Sequence, residues 1–134
     1  MTAVSLIRSP SLAASVPYAY AATAPAGTRY VFLAGACPLD AAGTVSTDSG
    51  YVEQARACMG NLVAALGEAG ATLDDVISTR VLVASNSRAD LTAAWNVVRD
   101  RFGEHDAPST LLGVTVLGYE HQLVEIEAIA AVVD

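Results

Sequence analysis

The segment "QLVEIEAIAAVV" at 122–133 limits the fold more than any other stretch of the chain. Its residues alternate in character, and residues two apart on a strand share a face. Val124, Ile126, Ala128, Ala130 and Val132 make one face apolar throughout, the pattern of a core face. Leu123, Glu125, Glu127, Ile129 and Ala131 make the other, which carries two carboxylates. Such a strand needs an apolar layer on one side. Its second side has to meet water, a partner subunit or a ligand.

The rest of the chain supplies that layer. Val52, Ala55, Met59, Leu62, Val63 and Leu66 fall on one face of a helix over 51–66. Thr47, Asp48 and Ser49 are its capping candidates, and Gly67 and Gly70 loosen its end. A second amphipathic helix over 86–103 turns Leu91, Ala94, Trp95, Val98 and Phe102 inward, and Asp106–Pro108 breaks it. Strands are predicted at 18–24, 29–35, 75–85, 109–118 and 122–133. Pro25–Gly27 makes the first two a hairpin, and 40–46 reads as a turn followed by a short edge strand. A polar turn at Tyr119–His121 joins the last two strands. The order β-β-(β)-α-β-α-β-β describes a two-layer α+β domain, a mixed sheet backed by two helices. The helices cover one sheet face and leave the Glu125 and Glu127 face to another partner. One domain accounts for residues 1–134, with no repeat or linker.

Composition removes several kinds of chemistry. Apolar residues make up 53% and charged ones 16%, rich for a small monomer, which points to surface buried between subunits. A net charge of −7 argues against nucleic acid, whose phosphates need a basic face. All seven basic residues are arginine, so a Schiff-base lysine and covalent pyridoxal phosphate chemistry are excluded. Cys37 and Cys58 have neither metal-ligand nor redox-pair spacing. With His105 and His121 the only histidines, no metal site is expected, and no cofactor. No apolar run reaches transmembrane length and the N-terminus has no cleaved-signal pattern. The expectation is a cytoplasmic protein without a membrane partner.

Several stretches carry a resemblance: "VPYAYA", "YVFLAGACPLD", "QARACMGNLVAALGEAGATLDDVISTRVLV", "AWNVVRDRFGEHDAPST" and "VEIEAIA". Together, over roughly residues 15–132, they resemble the RidA/YjgF-type family of reactive-intermediate deaminases. The resemblance implies a chorismate-mutase-like, RidA-like fold and a homotrimer whose open sheet faces pack together. It places small-molecule sites in clefts between subunits. It also implies hydrolysis of enamines and imines to 2-oxo acids. In the family, an arginine in a Pro-Ala-Arg-Ser stretch grips the substrate carboxylate, and a glutamate opening the last strand holds the attacking water. A tyrosine after Gly-Pro, a serine in a Ser-Gly step and an asparagine in the second helix complete the pocket.

Transferred to this sequence, the glutamate is Glu125, the one candidate catalytic residue. The tyrosine is Tyr18, preceded by Pro17, although Val16 replaces the glycine. The serine position is Ala34, followed by Gly35; the asparagine position is Trp95; the arginine position is Thr110. A threonine hydroxyl does not replace a guanidinium charge. The resemblance therefore implies a divergent member with a more apolar pocket, suited to a neutral ligand rather than a 2-imino acid.

Each candidate also has a structural reading. Glu125 is an acid–base group of a cleft or a hydrogen-bonded carboxylate at a subunit interface. Glu127 reads as structural, paired with an arginine or with backbone N–H groups. Tyr18 contacts ligand or closes a cleft wall, and Thr110 donates to ligand or ends a strand. Trp95 packs in the core or covers the ligand. Cys37, after "LAGA", lies near the cleft as a nucleophile or ligand contact, or as a small apolar packer. Two functions stay open: a deaminase- or hydrolase-type catalyst of specialised metabolism, and a non-catalytic trimer that binds a small ligand or a partner protein.

Overall fold

The alternation at 122–133 produces a central strand with two unlike faces. In the computed structural model, which describes residues 2–134, the elements follow in chain order. They are β1 (Ser5–Ile7), β2 (Ala21–Thr23), β3 (Arg29–Phe32), α1 (Tyr51–Glu68), β4 (Val76–Ala84), α2 (Arg88–Phe102), β5 (Ser109–Val114) and β6 (Val124–Val132). A 3-10 turn at Leu73–Asp75 leads into β4. The main sheet has the order β3-β6-β4-β5; β4 and β5 run parallel and the other pairs antiparallel. The parallel pair needs a crossover, and α2 provides it. No helix among the described residues is long and apolar enough to cross a membrane.

Val124, Ile126, Ala128 and Ala130 are buried in one core with Val81 and Val83 of β4. Ala55, Cys58, Met59, Leu62 and Leu66 of α1 and Ala94, Val98 and Phe102 of α2 complete that core. This is the two-layer α+β architecture that the periodicities predict. Glu125, Glu127 and Ile129 stand on the opposite face, half-buried. Alternation lapses at Ala130 and Ala131, both fully buried. There Val76 pairs with Ala130 and Ser78 with Ile129, so β4 carries one extra residue, a β-bulge at Ile77.

The expected hairpin of 18–24 with 29–35 does not form. β2 is shorter and pairs antiparallel with β1, Leu6 opposite Ala22, while β3 pairs with β6, Val31 opposite Ala130. The turn itself exists: the Thr28 N–H donates to Pro25 O at 3.3 Å and Gly27 has φ +86. A turn fixes the direction of the chain, not the partner of the next strand. β3 carries Val31, which gains a core place beside β6; β2 is alanine and threonine and has little to bury.

The expected edge strand at 40–46 is also absent. Asp40 accepts the N–H groups of Ala42 and Thr44, each at 3.0 Å, so its carboxylate takes donors that a strand would give to a neighbour. At the start of α1 the N-cap is Gly50, whose N–H donates to Glu53 at 2.8 Å; Thr47, Asp48 and Ser49 do not cap it.

The sheet face away from the helices is only thinly covered. Tyr30 and Phe32 of β3 are 55% and 75% exposed, with ring centroids 6.4 Å apart. Leu112 of β5 is exposed on the same sheet.

Candidate functional site

After Phe32 the chain leaves β3 and returns to β6 as an isolated bridge, Ala36 opposite Ile126. Phe32 is opposite Ile129. Four steps on one strand thus match three on the other, which is a bulge across 33–35. It is closed by Ala36 N–H to Ile126 O at 2.7 Å and Ile126 N–H to Ala36 O at 3.0 Å. The bulge presses the Gly35 backbone onto Glu125. A Cβ at position 35 would lie 2.1 Å from Glu125 Oε2, so any side chain there would force the Glu125 carboxylate to move.

The other carboxylate oxygen is held from two sides. Cys37 Sγ donates to Glu125 Oε1 at 3.2 Å, and Gln122 Nε2 donates to the same oxygen at 3.1 Å. Gln122 is buried and fixed in turn: its Nε2 reaches Val124 O at 3.0 Å and its Oε1 accepts the Tyr119 N–H at 3.1 Å. Asn61 of α1 donates to Cys37 O at 2.8 Å and Leu39 O at 3.1 Å, which anchors the segment carrying the thiol. Burial, then the hydrogen bond and charge of Glu125, push the Cys37 thiol from its ordinary value near 9 up to about 11. It is therefore a neutral donor at physiological pH, not a thiolate nucleophile. Cys58 is buried in the core, and burial likewise pushes its thiol up.

One further residue sets where β6 begins. Gln54 of α1 is buried; its Nε2 donates to Ser49 Oγ at 3.1 Å and His121 O at 2.9 Å, and its Oε1 accepts the Leu123 N–H at 2.7 Å. A polar residue on the buried face of a helix was the signal available for it. Gln122 gave no such signal, because beside the Tyr119–His121 turn it reads as an ordinary polar turn residue.

The site residues expected from the sequence fall into separate groups. Gly35, Cys37 and Glu125 meet at the bulge, with Ala34 exposed beside them. Tyr18 and Thr110 line a different groove of about 330 Å³, together with Ser78, Thr79, Arg80 and Ser109. Trp95 is with neither: it is half-buried on α2 and lines a small gap with Pro17, Val98 and Phe102. Glu127 pairs with Arg80 at 3.3 Å, the kind of partner expected for a structural carboxylate. Among the described residues no group of three or more His, Cys, Asp and Glu side chains could hold a metal ion.

The family model described as Endoribonuclease L-PSP matches residues 9–132, nearly the whole chain. The chain belongs to this family. Solved structures describe it as the Rid or YjgF family. The chain is similar to YyfB of Yersinia pestis, a Rid protein of unknown function, at 29% identity over 97% of this chain and 99% of that one, TM-score 0.87. It is similar to Rv2704 of Mycobacterium tuberculosis, a YjgF-family member, at 31% identity over 96% and 99%, TM-score 0.65. It is also similar to E. coli TdcF, solved with bound serine, at 27% identity over 90% and 91%, TM-score 0.67. No curated protein matches. The α+β arrangement of this chain is thus that of the Rid/YjgF family.

Proposed function

We propose that this Rid/YjgF chain is a small-molecule acid–base catalyst that acts, without metal or cofactor, on an enamine, imine or related reactive intermediate. The observation that carries this reading is the setting of Glu125. Oε1 is fixed by two donors, and Oε2 faces the glycine backbone of a bulge at the open sheet face. Two fixed bonds hold the carboxylate in one rotamer, the pre-organisation that general-base catalysis needs. For an imine, Glu125 takes a proton from water as the water oxygen bonds to the C=N carbon, the π pair moves to nitrogen, and Glu125 returns that proton to the nitrogen. In the collapse Glu125 carries the carbinolamine hydroxyl proton to the nitrogen, ammonia leaves with the C–N bonding pair and the oxygen lone pair closes the carbonyl.

The working unit in this reading is a homotrimer. The thinly covered face with Tyr30 and Phe32 supports burial against other subunits. The division of candidate residues into a Glu125 group and a Tyr18–Thr110 group supports clefts built from two chains. The family description names an endoribonuclease, yet a net charge of −7 disfavours RNA here. Arg8, Arg29 and Arg80 are tied to Asp106, Asp134 and Glu127, which leaves less free positive charge for phosphates.

A second reading, a non-catalytic trimer that binds a small ligand or a protein, has one observation in its favour. An Oε1 satisfied by two protein donors is also what a purely structural carboxylate shows. Turnover separates the two. Imines are generated in situ by a pyridoxal-dependent dehydratase, and carbonyl formation is followed with and without the protein at saturating imine. Glu125→Gln is expected to lower the accelerated rate by about 10²–10⁴-fold while the fold and assembly stay native. Equal rates for Glu125→Gln and the native protein would remove Glu125 as the catalyst. No acceleration by either, with ligand still bound, would establish the binding reading.

A further inference from the structure

We propose that residues 8–20 form a strap over the groove between Tyr18 and Thr110, latched to the body of the domain by the ion pair of Arg8 with Asp106. Release of the latch carries Tyr18 away and opens the groove. The segment joins β1 to β2, which pair with each other and not with the main sheet. It has no helix or strand of its own. Residues 11–15 are exposed, and Ala19 is the only buried residue of the segment. One methyl group contributes little on burial, so apolar packing does not hold the segment down. Beneath Pro17 a gap of about 10 Å³ is left against Trp95 and Phe102, the space of about one water.

Asp106 holds the segment instead. It stands between α2 and β5, on the body of the domain. Its backbone oxygen accepts the Ala19 N–H at 2.8 Å, and its carboxylate takes the Arg8 guanidinium. Arg8 opens the segment and Ala19 nearly closes it, so one residue ties both ends. The surroundings of Asp106 are fixed: Ala107 is buried, and His105 Nε2 lies 2.8 Å from Val76 O. Two further contacts are internal to the strap. The Tyr20 O–H donates to Ala13 O at 2.6 Å, and the Tyr18 and Tyr20 rings meet edge to face at 5.8 Å. They keep the strap in one piece and tie Tyr18 to its motion. Tyr18, Ala19 and Tyr20 make one wall of the groove, and Thr79, Ser109 and Thr110 of β4 and β5 make the other. A moving strap therefore moves one wall only. The latch is open to solvent, with side chains 56% and 24% accessible, so it is weak and screened by salt. A contact of that size breaks and re-forms without unfolding the core.

The test needs no turnover, so it stands apart from the proposed catalysis. Amide hydrogen exchange is followed in the native protein, Arg8→Ala, Asp106→Asn and the double variant, at low and high sodium chloride. The Ala19 amide is expected to exchange about two- to fivefold faster in each single variant, the effect of losing an exposed ion pair. High salt should do the same to the native protein and leave the variants unchanged. The double variant should exchange no faster than either single one, because all three lack the same contact. The amides of β6 should keep their native rates. Ser109 lines both the gap under Pro17 and the groove, so it lies under the strap. A thiol placed there by Ser109→Cys should react with a bulky maleimide faster by the same factor once Arg8→Ala is added. Ala19 exchange that ignores both the variants and salt would overturn the latch. Faster Ala19 exchange with unchanged maleimide labelling would overturn the opening of the groove. Exchange that rises as much in β6 as at Ala19 would show a loosened domain and no strap.

Discussion

The thiol of Cys37 and the carboxylate of Glu125 form one hydrogen-bonded unit, with Sγ 3.2 Å from Oε1. Partial burial of the thiol and the adjacent negative charge raise it to about 11. The folded thiol holds its proton more tightly than the unfolded one. Its contribution to stability is thus complete below pH about 9 and is lost as pH rises towards 11. Alkylation by iodoacetamide near neutral pH should be roughly a hundredfold slower than for a thiol of ordinary acidity, with its midpoint near pH 11. Glu125→Gln removes the charge but not the burial, so the midpoint should fall only part of the way back to 9. Intact-mass kinetics across pH reads this directly. Rapid labelling of Cys37 in the native protein with a midpoint at or below 9 would sink the account.

Gly35→Ala tests the contact that aims the carboxylate. The new Cβ would meet Glu125 Oε2 at 2.1 Å and Cδ at 2.8 Å. The carboxylate would have to rotate, losing Cys37 and Gln122, at a cost of about 1–3 kcal/mol for such overpacking. Denaturant unfolding should show that cost in the native background. In the Glu125→Ala background the same substitution should cost little, because the three atoms nearest the methyl all belong to the Glu125 side chain. Additive losses in this cycle would mean that Gly35 is required for some other reason.

How much of this was readable in advance follows the range of the forces involved. The two faces of β6, the two helices and β4 are written in local periodicity and appear where that periodicity puts them. The pairing of Glu127 with an arginine was likewise within reach of sequence. The partner of β3 was not, because the Pro25–Gly27 turn is a local signal and strand pairing is not. The bulge at 33–35 hides within an apolar run, and only Gly35 marks it. Arg80 stands beside Thr110 by virtue of a parallel register set by α2 and the core, which neither strand encodes alone. Cys37 and Glu125 are similarly far apart in sequence, and only the bulge brings them together.

Gln54 connects α1 to the start of β6, and its loss should be felt in stability. The amide serves Ser49, His121 and Leu123 from a position with 1% exposure. Gln54→Leu keeps the volume but leaves the Leu123 N–H and His121 carbonyl without their partner. An unsatisfied buried group costs about 1–3 kcal/mol, and that loss is expected in urea unfolding. Gln54→Glu should cost at least as much, because the carboxylate has no N–H for His121 O. A neutral effect of Gln54→Leu would show that water replaces the amide there.

Phe32 offers the sharpest test of the assembly. Its ring is 75% exposed on β3, beside Tyr30 on a face that no helix covers. In a lone chain, Phe32→Glu would remove apolar surface from water and put a charge into it, which costs the fold little. In a trimer that buries this face, the same charge would be desolvated without a partner. Light scattering should give about three times the chain mass of 13.7 kDa for the native protein and a smaller species for the variant. The helical circular dichroism of the two should agree, since α1 and α2 lie on the opposite side of the sheet. A native protein that stays monomeric at micromolar concentration would defeat the trimer. A Phe32→Glu variant that remains trimeric would place the interface away from β3.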